Sequence, residues 1–89
     1  MRDKIPSPKE DYRLEELDGE LLLYHPATTA TIYLNDTASL VWNLCNGERS
    51  VGEIMDVLKD SFPEAADSIP EDVEMTLSEF VEHGAIELG

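Results

Sequence analysis

The sequence predicts an α+β domain in which a three-stranded antiparallel sheet precedes three helices, in the order β-β-β-α-α-α. Short apolar segments joined by turn residues occupy the first third of the chain, which is typical of an antiparallel sheet. Apolar residues at helical spacing, bounded by capping residues and glycines, occupy the rest. The 89 residues suffice for one domain. We expect that domain to span residues 12–89, after a flexible or extended, proline-punctuated lead-in over residues 1–11.

Three segments predict the strands of the sheet. Tyr12–Leu17 alternates loosely, and Glu20–His25 contains the near-continuous apolar run that is typical of a central strand. Asp18 and Gly19 join these segments, and both residues tolerate the positive φ of a two-residue type I′ turn. Ala30–Leu34 predicts the third strand. The three strands should form an antiparallel meander.

The next stretch carries the start and stop signals of two closely spaced helices. Asn35 can cap the first helix, and Gly47 can end it. Ser50 and Glu53 have the spacing of a capping box, which starts a second helix only a few residues later. Two helices with so short a link cross steeply, in helix-turn-helix geometry. We expect these helices over residues 36–45 and 51–61.

A third helix is predicted over residues 69–83. Ser68 and Glu71 repeat the spacing of a capping box, and Gly84 is a natural stop. The helix should bury a stripe at helical spacing, formed by Val73, Leu77, Phe80 and Val81. The corresponding stripe of the second helix is Val51, Ile54, Met55, Leu58 and Phe62. Together with the sheet, the helices predict a winged helix-turn-helix-like architecture.

Two consecutive motifs in the helical region identify a family. The run L-N-x-T-A-x-x-V-W-x-L at residues 34–44 is followed by N-G-x-R-S-V-x-E-I at residues 46–54. The combination resembles the signature of PqqD-like proteins, and the resemblance covers about residues 12–88. These proteins are small recognition elements, or peptide chaperones, in pathways that modify ribosomally made peptides. The resemblance implies a non-catalytic adaptor that binds the leader of a precursor peptide in RiPP, lasso-peptide or PQQ-like biosynthesis.

The same resemblance implies where such a peptide would bind. In the family the leader adds to the edge of the third strand, and its side chains enter a groove between that strand and the third helix. The leader would then be held by main-chain hydrogen bonds and selected by side-chain pockets. For Ile32, Leu34, Val73 and Phe80 a place in the core is the alternative. The candidate peptide-binding residues are Ala30, Thr31, Ile32, Tyr33, Leu34, Asp72, Val73, Met75, Thr76, Glu79 and Phe80.

The charge balance limits the choice of partner. The chain has 20 acidic and 6 basic residues, for a net charge of −14. Nucleic-acid binding depends on neutralising phosphates with Lys and Arg, but residues 51–62 hold one Lys and no Arg. We therefore expect no nucleic-acid partner, which argues against a winged-helix transcription regulator. A basic peptide, or a basic face of an enzyme, fits this charge better.

Catalytic, metal-binding and membrane-spanning patterns are missing from the sequence. The two histidines, His25 and His83, lie in a predicted turn and at a predicted helix end, and Cys45 lies on an apolar helix face. No phosphate-binding glycine loop, signal peptide or apolar run of membrane-spanning length is present. We expect a cytoplasmic protein that is not an enzyme and uses no metal or cofactor.

Several alternatives stay open at this stage. The resemblance implies a partner enzyme, either a radical-SAM protein or a leader peptidase, and the sequence does not separate the two. An acidic scaffolding subunit that binds no peptide is a competing hypothesis. Since an exposed edge strand can pair with its own copy, we expect either a monomer or a weak homodimer.

Overall fold

The fold follows the predicted order, with additional short strands at both ends. A computed structural model describes residues 2–89, and it confirms an α+β fold with a three-stranded antiparallel sheet and three helices. A short 3-10 turn at Pro63–Ala65 precedes the last helix. The strands are β1 Pro6–Pro8, β2 Arg13–Leu17, β3 Glu20–His25, β4 Ala30–Leu34 and β5 Ile86–Leu88; the helices are α1 Asp36–Leu44, α2 Val51–Ser61 and α3 Ile69–Glu82.

The larger sheet is a meander in the order β2-β3-β4. Asp18 and Gly19 have φ values of 53° and 83°, so both take the positive values that the predicted two-residue turn requires. Both flanking pairings are antiparallel, and β3 is the central strand. One face of the sheet packs on the helices through buried residues such as Leu23 and Ile32. The strands β2 and β4 are therefore the two edges.

Side-chain caps hold the starts of α1 and α2 as predicted. The Oδ1 atom of Asn35 accepts a hydrogen bond of 2.8 Å from the Ala38 N–H. Ser50 and Glu53 form a complete capping box, in which each side chain accepts from the backbone N–H of the other, at 3.2 and 3.0 Å. These bonds satisfy N–H groups that have no partner within the helix.

The predicted capping box at the start of α3 is wrong. The Ser68 side chain makes no capping hydrogen bond, and its backbone is helical at φ −94° and ψ −16°. Its hydroxyl instead donates to the Ala65 carbonyl at 3.1 Å. The reason is that the 3-10 turn leads directly into the helix, so Ser68 continues a helical path and lacks the extended backbone of a capping residue.

The core lies between the helices and one face of the sheet. Its largest fully buried side chains include Phe80, Leu23, Ile54 and Leu77. Trp42 lies partly exposed at the edge of this core and packs edge-to-face on Phe80, with ring centroids 5.7 Å apart. The helices and the sheet thus share one core.

Two residues predicted as buried are exposed. Val81 is 42% exposed, because it follows Phe80 by one position and so points about 100° away around the helix. Phe62 is 40% exposed, because it follows the last residue of α2 and leaves the helical stripe. Both residues fit the apolar pattern in the sequence, but neither lies on the buried face of its helix.

The lead-in contains an extended segment, which is one of the two forms that the sequence left open for it. The strand β1 pairs antiparallel with β5. The Lys4 carbonyl accepts from the Val51 N–H at 2.8 Å, and the Arg2 carbonyl accepts from the Gly52 N–H at 2.9 Å. The backbone of the lead-in thus bonds to the first N–H groups of α2 and to β5. These partners are distant in the sequence, so the residues of the lead-in alone do not predict them.

The capping box gives a stability prediction with a matched control. Replacing the cap in Ser50→Ala should lower the free energy of unfolding by about 1 kcal/mol, because the Glu53 N–H loses the Ser50 hydroxyl as its partner. Ser68→Ala removes a serine that does not cap, and should cost less than half as much. Urea denaturation at pH 7 measures both values. Equal losses for the two variants would contradict the assignment of the caps.

The same box should depend on pH. The hydrogen bond from the Ser50 backbone N–H is the main reason that the pKa of the Glu53 carboxyl lies below its usual range. A lowered pKa in the folded state adds stability above the carboxyl's ordinary pKa, and this stability is lost as the pH falls through the lowered pKa. The difference in the free energy of unfolding between wild type and Glu53→Ala, which lacks this carboxyl, should therefore narrow when urea denaturation is repeated in acid.

Candidate functional site

The free edge of β4 is the first element of the candidate site. Since β3 is the central strand, one side of β4 pairs with β3 and the other side pairs with no strand of the described residues 2–89. The strand is five residues long. An edge of this kind presents N–H and C=O groups to which another chain can add.

The hairpin determines which backbone groups of β4 face outward. Leu17 and Glu20 flank the two-residue turn, so they form a hydrogen-bonded pair across β2 and β3. Along β3 the backbone groups then point alternately to β2 and to β4. The groups of Leu21 consequently point to β4, where its partner is Leu34. Leu34 must therefore direct its own N–H and C=O toward β3.

The same alternation runs back along β4. Ile32 pairs with Leu23 and directs its backbone groups inward, toward β3. Thr31 and Tyr33 lie between the inward-facing residues, so their N–H and C=O groups point to the free edge. Two residues of β4 thus offer the donors and acceptors that an added strand would use.

The side chains of β4 divide between the core and the solvent. Ile32 and Leu34 are buried in the core, which is the alternative that the sequence left open for them. Thr31 is exposed, and Tyr33 is 65% exposed. Ala30 is half-buried. Tyr33 is therefore the large side chain of the strand that an added peptide could contact.

Helix α3 provides the wall of a depression beside the end of β4. The depression has a volume of about 310 Å³. It brings together four of the predicted helix residues and adds two residues at the start of α1. The lining residues are Asn35, Thr37, Asp72, Met75, Thr76 and Glu79.

A second depression joins the first to β4. It contains Tyr33 and Leu34 from the strand, together with Asn35, Glu20 and Leu21. Asn35 lines both depressions, so they are neighbours along the same surface. The groove therefore begins at the carboxyl end of β4 and crosses the start of α1 toward α3. Ala30, Thr31 and Ile32 line neither depression.

Val73 and Phe80 do not reach this surface. Both are among the fully buried side chains of the core, which is again the alternative that the sequence left open. Asn35 and Thr37 line the groove but were not among the predicted site residues. Asn35 was interpreted only as a helix cap, and Thr37 was noted only within the family motif. No local signal marks them, because their place depends on how α1 packs on α3.

The groove wall is acidic. Along α3 the charged residues are Glu71, Asp72, Glu74, Glu79 and Glu82, and the helix contains no Lys or Arg. Asp72 and Glu79 stand on either side of Met75 along the helix, and Met75 is 65% exposed. An apolar side chain between two carboxylates suits a peptide with apolar and basic residues.

The described residues hold little that could act as a reaction centre. Burial raises the pKa of the Cys45 thiol to about 12, so the thiol is protonated at neutral pH and a poor nucleophile. Within residues 2–89, no group of three or more His, Cys, Asp or Glu side chains is placed to hold a metal ion. None of the helices described is both long and apolar enough to cross a membrane.

Comparison with known proteins identifies the family. The family model described as "Coenzyme PQQ synthesis protein D (PqqD)" matches residues 20–86. The chain belongs to the PqqD family. The resemblance based on residues 34–54 is thereby confirmed.

Curated members of the PqqD family are similar over most of this chain. The "PqqA binding protein" of Pseudomonas entomophila is 36% identical over 84 residues, covering 88% of this chain and 89% of that protein. The "PqqA binding protein 1" of Pseudomonas putida is 34% identical over 84 residues, with the same coverage.

A solved structure has the same fold. It is "TbiB1 in Complex with the TbiA(beta) Leader Peptide", with a TM-score of 0.75 and 18% identity. The match covers 91% of this chain and 94% of that one. At this identity the match establishes the fold shared by this PqqD-family chain and TbiB1.

Proposed function

We propose that this chain binds the leader of a ribosomally made precursor peptide and presents it to another enzyme, without catalysing a reaction itself. The leader adds as a further strand to the free edge of β4. The observation that carries the proposal is the outward direction of the Thr31 and Tyr33 backbone groups, next to a groove that can receive side chains. Main-chain bonds then supply affinity, and the groove supplies selection.

The relatives support a peptide ligand of this kind. Two curated family members are named for binding PqqA, and the solved structure with the same fold holds a leader peptide. These ligands belong to those proteins. For this chain they favour a peptide over nucleic acid, as does the charge of α2, whose exposed residues include Glu53, Asp56 and Asp60.

The partner enzyme is the second part of the proposal. The peptide bound at β4 would be the substrate of a partner enzyme. We propose a radical-SAM protein or a leader peptidase in that role, acting in the cytoplasm. Without peptide, the free edge of β4 also permits weak pairing with a second copy, so leader binding should compete with any homodimer.

The edge of β4 gives a prediction based on one donor. Tyr33→Pro removes an outward N–H, and proline is tolerated where the N–H of an edge strand faces solvent. The fold should survive, but binding of a leader should weaken about tenfold or more. One main-chain hydrogen bond to the leader is lost, and the proline ring hinders the approach of the added strand. Fluorescence anisotropy with the leader half of a peptide encoded beside the gene measures the affinity.

Two controls separate the backbone from the side chain and the fold. Tyr33→Ala keeps the N–H and should retain more affinity than Tyr33→Pro. Ile32→Pro removes an inward N–H and should destabilise the sheet itself. Equal affinities for Tyr33→Pro and Tyr33→Ala would contradict addition of the peptide to this edge.

The acidic wall gives a second prediction. Reversing Asp72→Lys and Glu79→Lys should weaken a basic leader about 3- to 10-fold at low salt, since two nearby carboxylates become repulsive. The matched control is Glu15→Lys with Glu16→Lys, which makes the same change in net charge at exposed positions of the other edge strand, β2, away from the groove. Titrations at low and high salt compare the pairs. Equal weakening by both pairs would exclude a local role for the groove.

A further inference from the structure

An apolar pocket lies next to the groove, beyond the proposed strand-addition site. This pocket lies where α1, the end of α2 and the start of α3 meet, and it has a volume of about 150 Å³. Its apolar walls are Leu40, Leu58, Phe62, Ala65 and Ile69. It is smaller than the depression beside α3 and lies on the far side of it from β4.

Shared lining residues place the pocket next to the groove. Asn35 joins the depression at the end of β4 to the depression beside α3. Thr37 and Asp72 then line both the depression beside α3 and the apolar pocket. The three depressions therefore follow one another from Leu34, over the first turn of α1, to the pocket.

The size of the pocket suits one side chain. An apolar cavity of about 150 Å³ takes a benzene-sized group, which is the scale of a Leu, Met or Phe side chain. Leu58 and Ile69 are buried, whereas Leu40 and Ala65 are partly exposed and Phe62 is 40% exposed. The pocket thus has a closed apolar floor and an open mouth.

The mouth of the pocket is negatively charged. Asp36 and Asp72 both line it, and they lie in the first turns of α1 and α3. No Lys, Arg or His lines the pocket. An apolar residue entering here would therefore be favoured by a neighbouring Lys or Arg, which could pair with these carboxylates.

An extended peptide can reach from the end of β4 to the pocket within a few residues. From Leu34 to Leu40 the chain advances two strand-like steps and four helical steps, which together span at most about 13 Å. An extended peptide covers that length in about four residues. A peptide paired with β4 can therefore place a side chain in the pocket without a long linker.

We propose that this pocket, called here the anchor pocket, binds one Leu, Met or Phe side chain of the same peptide that pairs with β4. The anchor residue lies within about four residues of the paired segment and has a Lys or Arg beside it. This inference rests on the proposed function, because it takes the strand added to β4 as the segment from which the anchor extends.

The test begins with peptides selected on the wild-type chain from a display library of random 12-residue peptides. Binders should share an apolar residue next to Lys or Arg. For one selected peptide, replacing that residue with Ser should weaken binding about 10- to 100-fold, since burial of the side chain is lost. Ala65→Leu, which fills the pocket, should cause a similar loss. Ala66→Leu is the matched control in the same turn and should bind normally.

A second measurement does not depend on the variants folding. In the wild-type complex, NMR should show contacts between the peptide's anchor side chain and the methyl groups of Leu40 and Leu58. Their absence, together with a loss below threefold for the Ser-substituted peptide, overturns the anchor pocket.

The outcomes separate this inference from the proposed function. Binders that lose affinity in Tyr33→Pro but not in Ala65→Leu keep strand addition and overturn the anchor pocket. Binders that lose affinity in Ala65→Leu but not in Tyr33→Pro overturn strand addition, and with it the proposed path of the peptide from β4 to the anchor pocket. A selection that yields no binder contradicts both proposals.

Discussion

The two-residue turn at Asp18 and Gly19 is the constraint on which the candidate site depends. Both residues have positive φ, and the turn closes a hydrogen-bonded pair that sets the register of β2 on β3. The register of β3 then determines which residues of β4 face it, and hence which backbone groups are free. A slip of one residue would turn Ile32 outward and Tyr33 into the core. Burial of Ile32 and Leu34 therefore favours the same register that the turn sets.

The second requirement is that α3 stands at a fixed place beside β4. Its buried face, including Val73, Leu77 and Phe80, packs in the shared core, and this leaves Asp72, Met75 and Glu79 on the groove. The end of the helix is also held, because the Tyr12 hydroxyl donates to the His83 carbonyl at 2.8 Å. At the other end of the chain, the lead-in completes the first turn of α2 and pairs with β5. Distant parts of the sequence thus position one binding surface.

The sequence predicted what depends on neighbouring residues. The turn at residues 18–19, the caps at Asn35 and Ser50 and the glycine stop at Gly84 follow from the preferences of single residues, and the structure has them. Gly47 has a positive φ, but α1 already ends at Leu44. Features that depend on distant contacts were not predictable in this way. The pairing of β1 with β5 is one case, and the loss of the cap at Ser68 is another, because the preceding 3-10 turn sets its backbone.

In the candidate site, too, some features follow from neighbouring residues and others depend on distant contacts. The exposed face of α3 follows from helical spacing, so Asp72, Met75, Thr76 and Glu79 could be placed together from the sequence. The contributions of Asn35 and Thr37 could not, since they depend on the packing of α1 against α3. Helical spacing alone also did not decide whether Val73 and Phe80 lie in the core or in the groove; the structure buries both in the core.

The most direct test of this account is amide hydrogen exchange of β4, measured by NMR with and without the leader half of a peptide encoded beside the gene. In the free chain, the N–H groups of Thr31 and Tyr33 should exchange rapidly, and that of Ile32 should be protected by its bond to β3. Added peptide should slow exchange at Thr31 and Tyr33 and leave Ile32 nearly unchanged. Binding of the peptide with no added protection at Thr31 and Tyr33 would contradict strand addition at this edge.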